Sequence, residues 1–218
     1  MTTADPTIRF ATAEGRYITS LISSPRTHLT PTSTTDVPII LALIHELATY
    51  ERASSSVLAT EATLLSTLSF PSNPQKGYAK TLLIYPPTAS PPSKANEAPE
   101  TQNTRDTQAP TCAGMALYYS SYSTWRAAPG IYLEDLFIRP EFRGRGYGTS
   151  LLRRLAVETR GMGGERLEWS VLKWNEPSLK FYEGKGVGAV RMEEWVGMRV
   201  EGEGLGRLAG EGEGPRAN

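Results

Sequence analysis

A glycine-rich turn in the second half of the chain carries the clearest chemical signal. The segment RGRGYG, residues 143–148, follows an apolar strand pattern and precedes an amphipathic helix pattern. Its three glycines keep the backbone free of side-chain bulk, so consecutive N–H groups can converge on an anion at the helix N-terminus. Arg143 and Arg145 add positive charge. The turn therefore predicts a site for an anionic, phosphate-bearing ligand.

Other interpretations of this turn remain open from its residues alone. Its spacing differs from the GxxxxGK[ST] pattern of nucleoside-triphosphate loops, and no acidic residue follows at the distance that a dinucleotide fold requires. A purely structural glycine-rich turn, or an RGRG element with modest affinity for RNA, would give the same letters.

The turn must be held by the strand before it and the helix after it. Ile131–Ile138 is the strongest strand pattern in the chain, and Gly148–Thr159 has an apolar stripe at helical spacing. Two adjacent acids, Glu134 and Asp135, interrupt the apolar strand. Strict alternation predicts that their side chains point to opposite faces of the sheet.

Further strand and helix patterns surround this unit. Strands are predicted at Thr7–Ala11, Ala79–Tyr85, Ala113–Tyr122, Arg166–Trp174 and Ala189–Val200, and helices at 37–48, Glu61–Leu68 and Glu176–Tyr182. Thr35 or Asp36 can cap the first of these helices and Asn175 the last. Strands that alternate with helices predict an α/β or α+β layer fold with a mixed sheet, in a single domain over residues 1–218.

Three stretches have the composition of poorly packed segments. Residues 13–35 and 86–111 are rich in small polar residues and proline, and 201–218 alternates Gly with Glu. Such segments bury too little apolar surface to offset their ordering entropy. We expect the first two to be loop insertions and the last to fray.

The composition excludes several classes of protein. The 218 residues carry a formal net charge of zero, which gives no overall field to hold nucleic acid. A single cysteine and two separated histidines leave too few ligands for a transition-metal site or a disulfide framework. No apolar run is long enough to span a bilayer, and no secretory signal is evident at the N-terminus. We expect no metal, no membrane and a cytoplasmic location.

Four blocks of the sequence together resemble a known family. The turn matches the [QR]-x-x-G-x-[GA] loop of the GCN5-related N-acetyltransferases (GNAT), and it directly follows a strand, as in that family. The chain is most similar to the diamine (spermidine/spermine) N-acetyltransferase branch. The resemblance rests on DVPIILALIHELATYE, GMALYYSSYSTW, IYLEDLFIRPEFRGRGYG and VLKWNEPSLKFYEGKG, which occur in the family's order.

The resemblance implies a GNAT fold and acetyl-CoA as co-substrate. It places the cofactor along Leu136, Phe137 and Ile138 on the strand, on Arg143, Gly144, Arg145, Gly146, Tyr147, Gly148 and Thr149 in the turn, and on Asn175 and Ser178 at the last helix. It further implies a homodimer.

The resemblance also implies direct transfer of acetyl from the thioester to an amine. An alkyl ammonium with a pKa of about 10.4 must lose a proton before it attacks, and a carboxylate can take it through water. Glu134 and Glu51 are the candidate bases, with Glu134 preferred. Tyr182 matches the tyrosine that protonates the leaving thiolate, and the backbone N–H of Leu136 is the implied oxyanion donor.

The acceptor is expected to be small. Residues that the resemblance or their charge assigns to the amine are Tyr50, Glu51, Trp125, Glu134, Asp135 and Trp195. Ser54, Ser55 and Ser123 replace acids of the polyamine enzymes, so a lysine-like amino acid or a shorter diamine is as good a candidate as spermine. The alternatives are a protein-lysine acetyltransferase and a non-catalytic acyl-CoA-binding module with the same fold.

Overall fold

A computed structural model describes residues 7–10, 36–72, 74–87 and 111–211. These residues fall into two compact units, which divide between Ser178 and Leu179. The strands are β1 (Thr7–Phe10), β2 (Lys80–Tyr85), β3 (Gly114–Ser123), β4 (Ala128–Ile138) and β5 (Leu167–Trp169). The helices are α1 (Val37–Tyr50), α2 (Glu61–Thr67), α3 (Tyr147–Gly161), α4 (Glu176–Glu183) and α5 (Glu203–Leu208).

The first unit contains a five-stranded mixed sheet in the order β1-β2-β3-β4-β5. The pairs β1–β2, β2–β3 and β3–β4 are antiparallel, and β5 runs parallel to β4. The sheet with its flanking helices confirms the predicted α/β layer fold. No helix in the described ranges has both the length and the apolar character to cross a bilayer.

Helices cover both faces of this sheet. On one face, α1 and α2 pack Ile40, Leu43 and Leu64 against alternate residues of the strands, including Leu83, Met115 and Phe137. The intervening strand residues point the other way. That second face meets α3, whose Glu158 accepts a 2.5 Å hydrogen bond from the Tyr118 hydroxyl. The central strands are therefore buried on both faces, which explains their nearly continuous apolar runs.

The predicted and observed elements differ in three places. The strand predicted at Arg166–Trp174 is wrong beyond Trp169, because the partner strand β4 has a bulge immediately after the last paired residue, Leu133. The strand predicted at Ala189–Val200 is also wrong: these residues form no strand, and all but Ala189 are exposed. The apolar residues do alternate in one register, with Glu194 as the one interruption, but no strand among the described residues pairs with them.

The structure describes part of the C-terminal tail and little of the two predicted insertions. The expectation that the end of the chain frays is wrong for Glu203–Leu208, which form a short helix with a Glu203–Arg207 ion pair. Residues 212–218, the insertion at 13–35 and residues 88–110 of the second insertion lie outside the described residues. In the sequence the second insertion lies between β2 and β3, which pair as antiparallel neighbours.

Candidate functional site

The glycine-rich turn between β4 and α3 has the backbone geometry of an anion-binding loop. Gly144 and Gly146 adopt φ angles of 73° and 80°, and Gly146 occupies the N-cap of α3. A Cβ at either glycine would meet no atom within 4 Å. The positive φ angles, rather than lack of space, are therefore the reason for glycine here.

Three amides at the start of α3 have no acceptor among the described residues. The described residues offer no hydrogen-bond acceptor to the N–H groups of Tyr147, Gly148 and Thr149, whereas Ser150 N–H donates to the Gly146 carbonyl at 2.9 Å. Unpaired first-turn amides and the positive end of the helix dipole stabilise a bound diphosphate. The turn therefore fits the pyrophosphate of a coenzyme A thioester.

Strands β4 and β5 separate next to this turn. Their pairing runs from Ile131 opposite Leu167 to Leu133 opposite Trp169 and then stops, while β4 continues to Ile138. On the β5 side, residues 134–138 therefore lack a strand partner within the described sheet. Peptide groups on this edge can hydrogen-bond an extended ligand, and Leu136, Phe137 and Ile138 lie on it. The opening fits the pantetheine arm of the same thioester.

A bulge in β4 changes the directions in which the side chains of Glu134 and Asp135 point. Asp135 pairs with Leu117 and Leu133 pairs with Tyr118, so Glu134 is the additional residue of the bulge. A bulge re-aims side chains and interrupts the strict alternation. The prediction that Glu134 and Asp135 point to opposite faces of a regular strand therefore does not hold at this position. Glu134 is exposed, and Asp135 is half-buried.

Two other carboxylates act on Asp135. Burial raises the pKa of Asp135 to about 6, and the negative charges of Glu134 and Glu51 add to the increase. Burial also raises the pKa of Glu51, which follows the last residue of α1. Residues far apart in the sequence thus form one acidic cluster, consisting of Glu51, Glu134 and Asp135. Such a cluster favours an ammonium group beside it.

A polar and aromatic network connects the end of α1 to the segment after β5. Tyr50 donates a 2.9 Å hydrogen bond to Oδ1 of Asn175, and this oxygen also accepts from Ser178 N–H at 3.3 Å. The second bond confirms Asn175 as the cap of α4. The rings of Tyr50 and Trp174 lie 6.3 Å apart. Asn175 is buried, so both of its bonds hold α1 and the start of α4 in fixed positions.

Two arginines flank these aromatic rings. The Arg143 guanidinium lies 4.9 Å from the Tyr50 ring centre and 5.8 Å from that of Phe137, and its Nε donates to the Ile138 carbonyl. The Arg52 guanidinium lies 5.0 Å from the ring centre of Trp174. Sequence reasoning assigned Arg143 to the loop entrance but missed Arg52 and Trp174. The only available signal for Arg52 was its position next to Glu51.

The remaining predicted site residues are Tyr182, Trp195 and Trp125. Tyr182 belongs to the second unit, on the last turn of α4, where its ring centre is 5.1 Å from that of Phe181. Trp195 is also in the second unit and is 63% exposed. Trp125 lies in the β3–β4 turn and is 89% exposed. The structure does not bring Trp125 to the acidic cluster, because residues 128–133 of β4 separate them.

Comparison with known proteins identifies the class to which this fold and site belong. The profile of the acetyltransferase (GNAT) family matches residues 93–188. L-ornithine N5-acetyltransferase NATA1 of Arabidopsis thaliana is 32% identical, over 78% of this chain and 82% of that protein. Thialysine N-epsilon-acetyltransferase of Bos taurus is 34% identical, over 78% of this chain and 90% of that protein.

A solved structure shares the fold. An integron cassette protein from the mobile metagenome of V. cholerae superimposes with a TM-score of 0.56 and 24% identity, over 80% of this chain and 91% of that one. The chain belongs to the GNAT acetyltransferase family. It is an acyltransferase that uses acetyl-CoA to acetylate an amine. Within the described part of the chain, no group of three or more His, Cys, Asp or Glu side chains could hold a metal ion.

Proposed function

We propose that this enzyme acetylates the terminal primary amine of a small diamine or a lysine-like amino acid. The observation that supports this proposal is the cluster of Glu51, Glu134 and Asp135 beside the opening between β4 and β5. One local group of acids suits one ammonium group, whereas a long polyamine needs carboxylates spread along a channel. The two relatives named above acetylate ornithine and thialysine, which are acceptors of this size.

In this proposal the acids prepare the amine for attack. Asp135 and Glu51 attract the ammonium, and Glu134, exposed at the bulge, accepts its proton through water. The neutral nitrogen then forms the C–N bond as the C–S bond of the thioester breaks. The proton of the ammonium leaves through Glu134 to solvent.

Two further groups act on the donor side. The N–H of Leu136 lies on the part of β4 that β5 does not cover, where it can donate to the oxygen that gains charge during transfer. Tyr182 is proposed, from the family resemblance, to donate its phenolic proton to the departing thiolate. The second proton that the nitrogen loses as the amide forms restores the phenol of Tyr182, so one proton in total is released to solvent. Residues 143–149 hold the diphosphate, and Asn175 and Ser178 line the cofactor arm.

Release of CoA thiol from acetyl-CoA tests the acceptor class. We would compare putrescine, spermidine, spermine, ornithine, lysine and a lysine-containing peptide, each with the full-length chain at saturating acetyl-CoA. The proposal predicts the highest kcat/KM with one of the short acceptors. A preference for the peptide would show a protein-lysine acetyltransferase. Binding of acetyl-CoA without amine-dependent release would show a non-catalytic binding module.

Three finer properties are part of the same proposal. We propose a homodimer from the family resemblance and a cytoplasmic location from the composition. Light scattering during size-exclusion chromatography tests the first, and a strictly monomeric active enzyme would contradict it. Fractionation of cells that express the tagged chain tests the second. Residues 1–218 are proposed to act as one functional domain, so deletion of residues 179–218 is expected to abolish turnover.

A further inference from the structure

Arg52 occupies a backbone position where glycine is usual. Helix α1 ends in a Schellman motif: Arg52 N–H donates to the Thr49 carbonyl at 3.2 Å, and Ala53 N–H donates to the Ala48 carbonyl at 2.8 Å. The residue after the C-cap of such a motif adopts left-handed φ and is most often glycine. Arg52 has a φ of 61°. A long side chain at this strained position points to a role for the side chain itself.

The guanidinium of Arg52 is held by a ring and not by an acid. It lies 5.0 Å from the centre of the Trp174 ring. No Asp or Glu among the described residues comes within ion-pair distance of it, whereas Arg139 and Arg154 are paired with Glu46 and Glu158. Stacking on an aromatic face orients the planar guanidinium and leaves its N–H edge available for a carboxylate.

Arg52 directly follows a member of the acidic cluster. Glu51 acts on the charge of Asp135, so a positive site and a negative site lie side by side at the end of α1. An acceptor with a free carboxylate would be repelled by the three acids unless a cation balanced that charge. A side-chain amine and an α-carboxylate on one molecule would satisfy both sites.

We propose that Arg52 binds the carboxylate of the acceptor, so that the enzyme selects an amino acid with a terminal amine over the corresponding diamine. This inference rests on the proposed function, because it assigns the second charged group of the same small acceptor. A guanidinium can bind a carboxylate through two parallel hydrogen bonds, and a site built for a polar group rejects the analogue that lacks it.

The acetyl-CoA phosphates are the other anions that Arg52 could bind. They have cations of their own, because Arg143 and Arg145 lie in the loop that carries the unpaired amides. The Arg52 side chain instead starts at the residue after Glu51. We therefore assign it to the acceptor and use the affinity for acetyl-CoA to test that choice.

Two matched pairs of acceptors test the assignment. Ornithine and putrescine, like lysine and cadaverine, differ only in the α-carboxylate. Wild-type kcat/KM is expected to favour the amino acid of each pair. Arg52→Gln should lower kcat/KM for the amino acids about 10-fold to 100-fold, as for a lost hydrogen bond between charged groups, and change the diamine values less than threefold. Arg52→Lys should give an intermediate loss.

Two more variants separate function from folding. Arg52→Gly relieves the left-handed strain, so Tm should not fall although discrimination between the paired acceptors is lost. Arg207→Gln removes an exposed guanidinium from α5 and should leave every kinetic constant unchanged.

Three results would overturn the inference. Equal losses with the amino acid and the diamine would show that Arg52 does not recognise the carboxylate. A weaker Kd for acetyl-CoA with unaltered discrimination would assign Arg52 to the cofactor. If the wild-type enzyme acetylated amino acids and diamines equally, the proposed function would stand and only this inference would fail. Turnover of none of the four acceptors would overturn both.

Discussion

The proposed donor side and the proposed acceptor side of this site are built in different ways. The donor side, residues 136–149, is one continuous segment that offers mainly backbone groups: the open edge of β4 and the free amides at the start of α3. The acceptor side consists of charged side chains from α1 and β4, with Trp174 from the segment after β5. A local backbone motif can hold one cofactor in many enzymes, while distant side chains can vary to suit each acceptor.

This difference explains what the sequence could predict. The turn at residues 143–148 has a strand before it and a helix after it, so its structure follows from local pattern, whereas its ligand was predicted from the family resemblance of four blocks. The core strands and α1 to α4 were predicted for the same reason. The bulge at Glu134 was not, because the shift in register appears only when β3 and β4 pair. The stack of Arg52 on Trp174 joins residues that are distant in the chain.

The strand predictions for residues 170–174 and for Ala189–Val200 failed for a related reason. Residues 170–174 have the apolar content of a strand, but pairing requires a partner, and β4 diverges after Leu133. The apolar residues between Ala189 and Val200 likewise have no partner strand among the described residues. Strand propensity depends on the neighbouring strand more than on the residues themselves.

The largest expected effect comes from the proposed proton donor. Tyr182→Phe should lower kcat about 100-fold or more, the typical contribution of general acid catalysis, with Kd for acetyl-CoA within threefold. Steady-state kinetics and calorimetry measure the two values. The matched control, Tyr78→Phe, removes a phenol hydroxyl from a side chain that is 86% exposed and should leave kcat unchanged. An unaltered kcat in the Tyr182 variant would remove this residue from the mechanism.

A second prediction concerns the backbone of the donor side. Gly146→Ala forces an alanine to φ near 80° or moves the amides of the turn, so Kd for acetyl-CoA should rise about 10-fold to 100-fold. Isothermal titration calorimetry measures this change. Gly161→Ala is the control, because Gly161 is at the other end of α3, has no positive φ, and a Cβ there meets nothing within 4 Å. Equal effects of the two substitutions would argue against the loop as the diphosphate site.

A third prediction uses the buried acid of the acceptor side. The pKa of Asp135 is about 6 in the folded state, above its value of 3.8 without the protein environment. Because the folded state favours the protonated form, this group weakens folding as pH rises from about 4 to above 6. Asp135→Asn should therefore raise the free energy of unfolding by about 2 kcal/mol at pH 8 and leave it nearly unchanged at pH 4.

Urea unfolding at the two pH values measures this difference. The same variant should raise KM for the amine, while Kd for acetyl-CoA stays constant. If kcat/KM of the wild type increases with pH with an apparent pKa near 6, the variant should lose that increase. A stability gain that is independent of pH would show that Asp135 is not the titrating group.

The smallest expected effect comes from the ion pair that docks α1 on the sheet. Arg139 donates to both carboxylate oxygens of Glu46, with the shortest contact 2.6 Å, and its Nη1 donates to the Cys112 carbonyl. Glu46→Gln should lower the free energy of unfolding by about 1 kcal/mol, because the pair is partly exposed. It should also raise KM for the amine a few-fold, since α1 carries Tyr50 and precedes Glu51.

Glu165→Gln provides the control for this pair. It breaks a more exposed ion pair with Arg126 on the β3–β4 turn and should change stability by less than about 0.5 kcal/mol. If the two substitutions changed KM for the amine equally, docking of α1 would not be what positions the acceptor residues.

The most direct test of the division between donor and acceptor sides measures two constants on the same three proteins. Kd for acetyl-CoA and KM for ornithine would be determined for the wild type, Gly146→Ala and Asp135→Asn. We predict that Gly146→Ala weakens the affinity for acetyl-CoA with little change in KM for ornithine, and that Asp135→Asn does the reverse. Parallel changes of both constants in both variants would contradict the separation of a backbone donor side from a side-chain acceptor side.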